Sequence, residues 1–157
     1  MHRLTLIPCN PDHMEILRTW SIKHDEITQW AGPNIRFPHT QQTFLADLKH
    51  SELPSYGLIN DKKELVAFGQ FYQRLGHCHL GRLIVNPDFR RQGIAKILVE
   101  KLSVKAQQAL KLSALSLFVY QDNTAAITLY KKLGFIETSY PEDMPLTDCL
   151  YLTKVSD

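Results

Sequence analysis

The most informative stretch of this chain is Leu83-Ile84-Val85-Asn86-Pro87-Asp88-Phe89-Arg90-Arg91-Gln92-Gly93-Ile94-Ala95. An apolar strand pattern ends at Pro87, and a helical pattern begins after Gly93 with Ile94 and Leu98 on one face. A helix N-terminus offers unpaired N–H groups and a partial positive charge, and a glycine there lets an anion approach the backbone. The stretch therefore predicts a strand, an anion-binding turn and a helix. Taken alone it is only suggestive, because one glycine between basic residues more often marks an ordinary connection.

The segments on either side of this stretch predict a mixed α/β fold. Upstream, strand patterns separated by polar or glycine turns predict an antiparallel meander over Tyr56 to Ile59, Leu65 to Tyr72 and His77 to Val85. Downstream come an apolar run from Ala114 to Tyr120, a helix from about Thr124 to Leu133 and a closing strand near Cys149 to Thr153. We expect one domain over residues 1–157, a usual size for a compact domain.

The first fifty residues predict a strand and two helices. Residues 3–7 form the strand, Asn10 caps a first helix that runs to about Ile22, and a second helix starts at Thr40. Between the helices lies a proline-containing loop, residues 29–38, that carries Trp30 and Phe37. This loop is either a wall of a substrate pocket or a segment held by aromatic packing.

Composition and charge exclude several classes of protein. The apolar share of 44% and the charged share of 22% are those of an ordinary globular protein. The formal charge of +2 is close to balanced, and the basic residues are scattered, with adjacent pairs such as Arg90-Arg91 but no longer run. No broad nucleic-acid-binding face is therefore expected.

The cysteines and the apolar runs predict a reduced, cytoplasmic setting. Cys9, Cys78 and Cys149 lie far apart and form no metal-binding spacing, so we expect neither a disulfide framework nor a metal site. The N-terminal apolar run is too short for a signal peptide, and no stretch approaches the roughly 18 apolar residues of a membrane span.

Two motifs resemble those of the Gcn5-related N-acetyltransferase (GNAT) family. Arg90-Arg91-Gln92-Gly93-Ile94-Ala95 matches the acetyl-CoA signature [RQ]-x-x-G-x-[GA], with alanine in place of the commoner final glycine. Asn123-Thr124-Ala125-Ala126-Ile127-Thr128-Leu129-Tyr130-Lys131-Lys132-Leu133-Gly134-Phe135 is similar to the segment N-x-x-A-x-x-x-Y-x-x-x-G-F. Two motifs in the family's order, together with the meander, extend the resemblance over residues 55–136.

The resemblance implies the fold and the acetyl donor. The expected fold is a central mixed, mostly antiparallel sheet with splayed strands, flanked by helices, and the donor is acetyl-CoA. The residues that it assigns to acetyl-CoA are Leu83, Ile84, Val85, Arg90, Arg91, Gln92, Gly93, Ile94, Ala95, Lys96, Asn123, Ala126 and Tyr130.

The resemblance also implies catalytic residues for direct acetyl transfer to an amine. Tyr130 occupies the family's general-acid position, since a phenol can protonate a departing thiolate. His79 lies eleven residues before Arg90, at the register of catalytic bases in related enzymes. A water relay is an equal alternative to His79, and His77 could take part in such a relay. The backbone N–H of Val85 is the expected oxyanion donor, and Cys78 should face away from the two histidines.

The acceptor is predicted less directly than the donor. Trp30, Phe37 and Glu26 are candidate acceptor contacts, and Tyr72 and Tyr140 could extend an apolar pocket. We expect a small-molecule amine as acceptor and a monomer or homodimer as the assembly. Acetylation of a protein N-terminus or lysine, and a non-catalytic acyl-CoA sensor, are the alternatives.

Overall fold

The computed structural model describes residues 3–155, which form a seven-stranded sheet with helices on both faces. The strands are β1 (Thr5–Pro8), β2 (Ser55–Ile59), β3 (Leu65–Arg74), β4 (His77–Val85), β5 (Leu115–Tyr120), β6 (Ile136–Glu137) and β7 (Cys149–Lys154). The helices are α1 (Pro11–Arg18), α2 (His24–Ala31), α3 (Gln41–Asp47), α4 (Ile94–Leu110) and α5 (Thr124–Lys132), with a 3₁₀ turn at Pro87–Phe89. Within the described residues, no helix is long and apolar enough to cross a membrane.

The sheet has the mixed, mostly antiparallel character that the sequence predicts. Its strand order is β1-β2-β3-β4-β5-β7-β6, and only the β4–β5 neighbours are parallel. The meander of β2, β3 and β4 and the helix that follows it are confirmed. The two-residue strand β6 was not predicted, because so short a segment carries no alternating pattern.

The N-terminal region differs from its prediction. The first helix ends at Arg18 instead of near Ile22, and a separate helix, α2, begins at His24. The start of α2 is not marked by a usual capping residue, because its N-cap is Lys23. Instead, the Glu26 carboxylate accepts the backbone N–H groups of Ile22 and Lys23 at 3.2 and 3.0 Å. Trp30 consequently lies in a helix, not in a loop.

The helices divide between the two faces of the sheet. Ala67 and Phe68 are neighbours on β3, so their side chains point to opposite faces. Phe68 packs in a cluster with α1, α2 and α3, whereas Ala67 packs with Ile94 and Leu98 of α4. Helix α5 shares a cluster with α4, through residues such as Tyr130. We call these the α1–α3 face and the α4–α5 face.

The pairing of β3 with β4 contains a bulge. Phe68 pairs with Ile84 and Gln70 pairs with Gly81, so one residue of β3 lies between the two pairs where β4 has two. The extra residue lies at Arg82, whose φ of 52° is in the left-handed region. A bulge bends its strand and redirects a side chain, and this one lies where β4 approaches the helices of the α1–α3 face.

Gly69, on β3 beside the bulge, has no room for a side chain. A Cβ at this position would lie 2.7 Å from Leu83 Cδ2 and 2.8 Å from Cδ2 of the buried Leu102. We expect Gly69→Ala to lower the free energy of unfolding by about 1–3 kcal/mol through overpacking. Denaturant unfolding measures this loss, and Gly81→Ala, where nothing lies within 4 Å of the added Cβ, is the control. Equal stabilities of the two variants would contradict the prediction.

Candidate active site

Strands β4 and β5 separate in the middle of the sheet. They pair at Cys78–Leu115, His79–Ser116 and Leu80–Leu117 and at no residue pair beyond these. Both strands nevertheless continue, β4 to Val85 and β5 to Tyr120. The splay that the resemblance implies is therefore confirmed, and a cavity of about 1130 Å³ opens at this gap and extends to the start of α4.

The turn before α4 forms one end of this cavity. Gly93 is the N-cap of α4 with a φ of 74°, and no side chain of the described residues caps this helix. A Cβ at Gly93 would meet no atom within 4 Å, so the space beside it is free for a ligand. An uncapped helix N-terminus with open space beside a glycine suits a diphosphate. The residues present therefore fit the diphosphate of acetyl-CoA.

Most of the predicted acetyl-CoA residues lie in the cavity wall. They are Leu83, Ile84, Val85, Arg90, Arg91, Gly93, Ile94, Ala95, Lys96, Asn123, Ala126 and Tyr130. Gln92 is not among the lining residues. Asn123 has a structural contact as well, because its Oδ1 accepts the N–H of Ala126 at 3.3 Å and caps α5.

The backbone of β4 directs one N–H group into the gap. The N–H of Asn86 donates to Val66 O on β3 at 2.8 Å. Successive N–H groups of a strand point to opposite sides, so the N–H of Val85 points away from β3, toward the side where β5 has separated.

Tyr130 lies in the cavity wall on the α4–α5 face. Its ring packs edge-to-face on Phe135 with the centroids 6.1 Å apart. Burial raises the pKa of the phenol to about 12. The hydroxyl therefore keeps its proton across the neutral range and can donate it.

His79 lies in the cavity wall on the α1–α3 face. Its Nδ1 is 2.8 Å from Oγ of Ser116, and its ring packs on Phe118 and Tyr72. Burial, with smaller contributions from the charges of Arg74 and His77, lowers the pKa of His79 to about 3. The imidazole is consequently neutral near pH 7, but it binds a proton weakly.

Of the three predicted acceptor contacts, one lines the cavity and two do not. Trp30 lines the cavity, although its ring also packs on Phe44 and Phe68 in the core. Glu26 and Phe37 are not among the lining residues. The Glu26 carboxylate is occupied at the start of α2, and Phe37 is 44% exposed and stacks on His24. The structure therefore brings Trp30, but neither Glu26 nor Phe37, to His79 and Tyr130.

Two arginines in the cavity wall were not identified from the sequence. Arg74 ends β3, and Arg82 lies at the bulge of β4. The available signal was a charged residue inside the otherwise apolar run from Leu80 to Val85. Cys78, in contrast, is buried in the core cluster of the α4–α5 face, as predicted from strand alternation.

A splayed strand pair, an uncapped glycine turn and a cavity that joins both faces are the features expected of an acyl-CoA-dependent acyltransferase. Comparison with known proteins agrees with this class. The model of the acetyltransferase (GNAT) family matches residues 20–135, so the chain belongs to that family. It is an N-acetyltransferase that uses acetyl-CoA as donor and an amine as acceptor.

Relatives with different acceptors resemble this chain. The ribosomal protein bS18 alanine N-acetyltransferase of Escherichia coli is 32% identical over 71% of this chain and 74% of its own length. The peptidyl-lysine N-acetyltransferase YjaB of Salmonella typhimurium is 37% identical over 58% of this chain and 56% of its own length.

A solved structure extends the likeness of fold to nearly the whole chain. Spermidine N-acetyltransferase from Vibrio cholerae, in complex with CoA and spermine, superimposes with a TM-score of 0.76 at 17% identity. The superposition covers 98% of this chain and 95% of the other. At this identity the likeness concerns the fold alone.

Proposed function

We propose that this chain transfers the acetyl group of acetyl-CoA directly to the primary amine of a small molecule bound on the α1–α3 face. The observation that supports this proposal is the gap between β4 and β5, which joins the wall that carries His79 to the wall that carries Tyr130 in one cavity. A volume of about 1130 Å³ slightly exceeds the roughly 300–1,000 Å³ typical of small-molecule sites. It offers room for acetyl-CoA and a small acceptor.

Each proposed residue has one function in the reaction. The amine nitrogen bonds to the thioester carbonyl carbon, the C–S bond breaks, the amine loses a proton and the sulfur gains one. The N–H of Val85 stabilises the negative charge that develops on the carbonyl oxygen. Tyr130 donates its proton to the sulfur; the apolar surroundings that hold its pKa high also favour protonation of a thiolate formed beside it.

The start of α4 positions the donor in this proposal. The N–H groups from Arg91 to Lys96 bind the diphosphate, and Arg90 and Arg91 add positive charge. Leu83, Ile84, Val85, Asn123 and Ala126 line the path from this turn to the gap. Trp30 lines the acceptor side.

His79 is proposed to orient the amine and pass its proton to water, since its pKa of about 3 makes it a weak final proton acceptor. Below an amine pKa of about 10, kcat/KM should then rise about tenfold per pH unit, because only the neutral amine reacts. We expect His79→Gln to keep this slope and to lower kcat/KM by the same factor at every pH. A break near pH 6–7 in the wild type that disappears in the variant would instead identify His79 as a titrating base.

Release of free thiol from acetyl-CoA tests the proposed function. The panel contains small amines, spermidine and peptides with an N-terminal alanine or an internal lysine, with a sample lacking acceptor as control. We expect a small amine to give the highest kcat/KM. Activity with peptides alone would favour acetylation of a protein N-terminus or lysine; the relatives are named as an alanine N-acetyltransferase of ribosomal protein bS18 in Escherichia coli and a peptidyl-lysine N-acetyltransferase in Salmonella typhimurium. Binding of acetyl-CoA without turnover of any acceptor would favour a sensor.

A further inference from the structure

The charges around the cavity are mostly positive. Within residues 3–155, six lysine or arginine side chains and one carboxylate line it. The six are Lys49, Arg74, Arg82, Arg90, Arg91 and Lys96. The last three lie in the turn before α4 and in the first turn of that helix, where the proposed diphosphate would bind, whereas the first three belong to the acceptor side.

The single carboxylate, Asp47, is already neutralised by Arg36. It accepts the Arg36 backbone N–H at 2.9 Å, and Nε and Nη2 of the same arginine at 2.9–3.2 Å. The acceptor side therefore offers no free carboxylate among the described residues to bind a second positive charge. A polyamine, whose additional ammonium groups require such partners, does not fit this wall.

Arg82 is held rigidly with part of its guanidinium unused. Its Nε donates to Ala31 O at 3.1 Å, and its Nη1 donates to Leu48 O and Gln70 Oε1 at 3.1 and 3.2 Å. Gln70 is itself fixed, because its Nε2 donates to Leu48 O and Ser55 Oγ. A guanidinium carries five N–H donors, and the two on Nη2 have no protein acceptor within the described residues.

Arg82 also has no carboxylate partner within 4 Å in the described part of the chain. Burial lowers the pKa of its guanidinium, and the charges of Tyr72 and Asp47 offset this effect only in part, so an anion bound beside Arg82 would stabilise its positive charge. Arg74 adds a second charge, held by the hydroxyls of Tyr72 and Tyr140 and placed over the Phe118 ring. Neither arginine is needed for the diphosphate, which binds at the other end of the cavity.

We propose that the acceptor amine carries a carboxylate, as an amino acid does, and that the free Nη2 edge of Arg82 binds this carboxylate while Arg74 contributes attraction. This inference rests on the proposed acetyl transfer and specifies its substrate class. A fixed guanidinium suits a planar carboxylate, and charge-assisted hydrogen bonds of this kind are among the stronger ones.

A matched set of acceptors tests the proposal with the wild-type protein. Each amino acid is compared with its amide and with the amine that lacks the carboxylate, and rates are corrected for the neutral fraction of each amine. We expect kcat/KM to be at least about tenfold higher with the carboxylate. Equal or higher values for the amides and plain amines would overturn this proposal while leaving acetyl transfer intact. Failure of every amine and peptide would overturn the proposed function itself.

Substitution of the arginine adds a second test. Arg82→Met should abolish the preference for the carboxylate, so that kcat/KM falls at least about tenfold more for the amino acids than for the plain amines. Lys62→Met, which removes an exposed charge from the β2–β3 turn, is the control and should keep the preference. A preference retained in Arg82→Met would overturn the role of Arg82.

Inhibition of the wild type covers the case in which Arg82→Met does not fold. The probes are a carboxylic acid that lacks the amine and the corresponding amide. We expect the acid to compete with the acceptor at least about tenfold more strongly than the amide. Equal inhibition by the two probes would overturn the proposal.

Discussion

Tyr130→Phe is expected to lower kcat by about 100-fold or more while leaving the affinity for acetyl-CoA nearly unchanged. The variant keeps the ring that packs on Phe135 and loses only the hydroxyl. General acid catalysis by a positioned group typically contributes about 10²–10⁴-fold. Steady-state kinetics with the best acceptor of the panel measures kcat, and calorimetric titration measures acetyl-CoA binding.

The matched control for Tyr130→Phe is Tyr56→Phe. Tyr56 stacks on Phe71 in the sheet and is not among the cavity-lining residues, so its hydroxyl should not affect the rate. If Tyr130→Phe keeps the wild-type kcat, water and not the phenol protonates the departing thiolate.

Gly93→Val is expected to weaken acetyl-CoA binding by roughly 100-fold. The φ of 74° is strained for a β-branched residue, and the added side chain would occupy the empty space beside the α4 N-terminus. Loss of one or two hydrogen bonds to a charged group, each worth about 1.5–3 kcal/mol, corresponds to an effect of this size. Calorimetric titration with acetyl-CoA measures the change.

Gly76→Val separates the binding effect from backbone strain. Gly76, in the β3–β4 turn, has a φ of 78° and open space around its Cβ position, so the variant carries a similar strain outside the cavity. We expect it to lose stability and keep acetyl-CoA affinity. Equal affinities of the two variants would show that the turn at Gly93 does not bind the diphosphate.

The sequence predicted the part of the fold whose signals are local. Strand alternation between polar turns predicted the meander, and the apolar face beginning at Ile94 predicted α4. Helix α2 was missed because its start depends on Glu26 reaching back to two backbone N–H groups, which a lysine at the N-cap does not indicate. The bulge at Arg82 depends on the register between two strands, and this register is set by tertiary packing.

In the candidate site, the sequence indicated the donor side better than the acceptor side, because only the donor side has local sequence signals. Two motifs indicated the donor turn and Tyr130, because their residues are close in sequence. The acceptor wall combines residues from β3, β4, β5 and the α2–α3 region, and no local pattern joins Arg74 to Arg82. Phe37 was predicted from its place in the aromatic loop and Glu26 from its place in the first helix-to-loop region. Phe37, however, stacks on His24 away from the cavity lining, and the Glu26 carboxylate accepts N–H groups at the start of α2.

The separation of β4 from β5 bears on the order of events during turnover. In the proposed arrangement the nucleotide end of the donor lies at the α4 turn and the acceptor lies on the opposite face, so neither blocks the route of the other. Both substrates can therefore be bound together, and the acetyl group can pass from donor to acceptor without a covalent acetyl-enzyme intermediate. Initial-rate plots at several fixed donor concentrations should consequently give intersecting lines, the sign of a ternary complex, and not the parallel lines of a ping-pong enzyme.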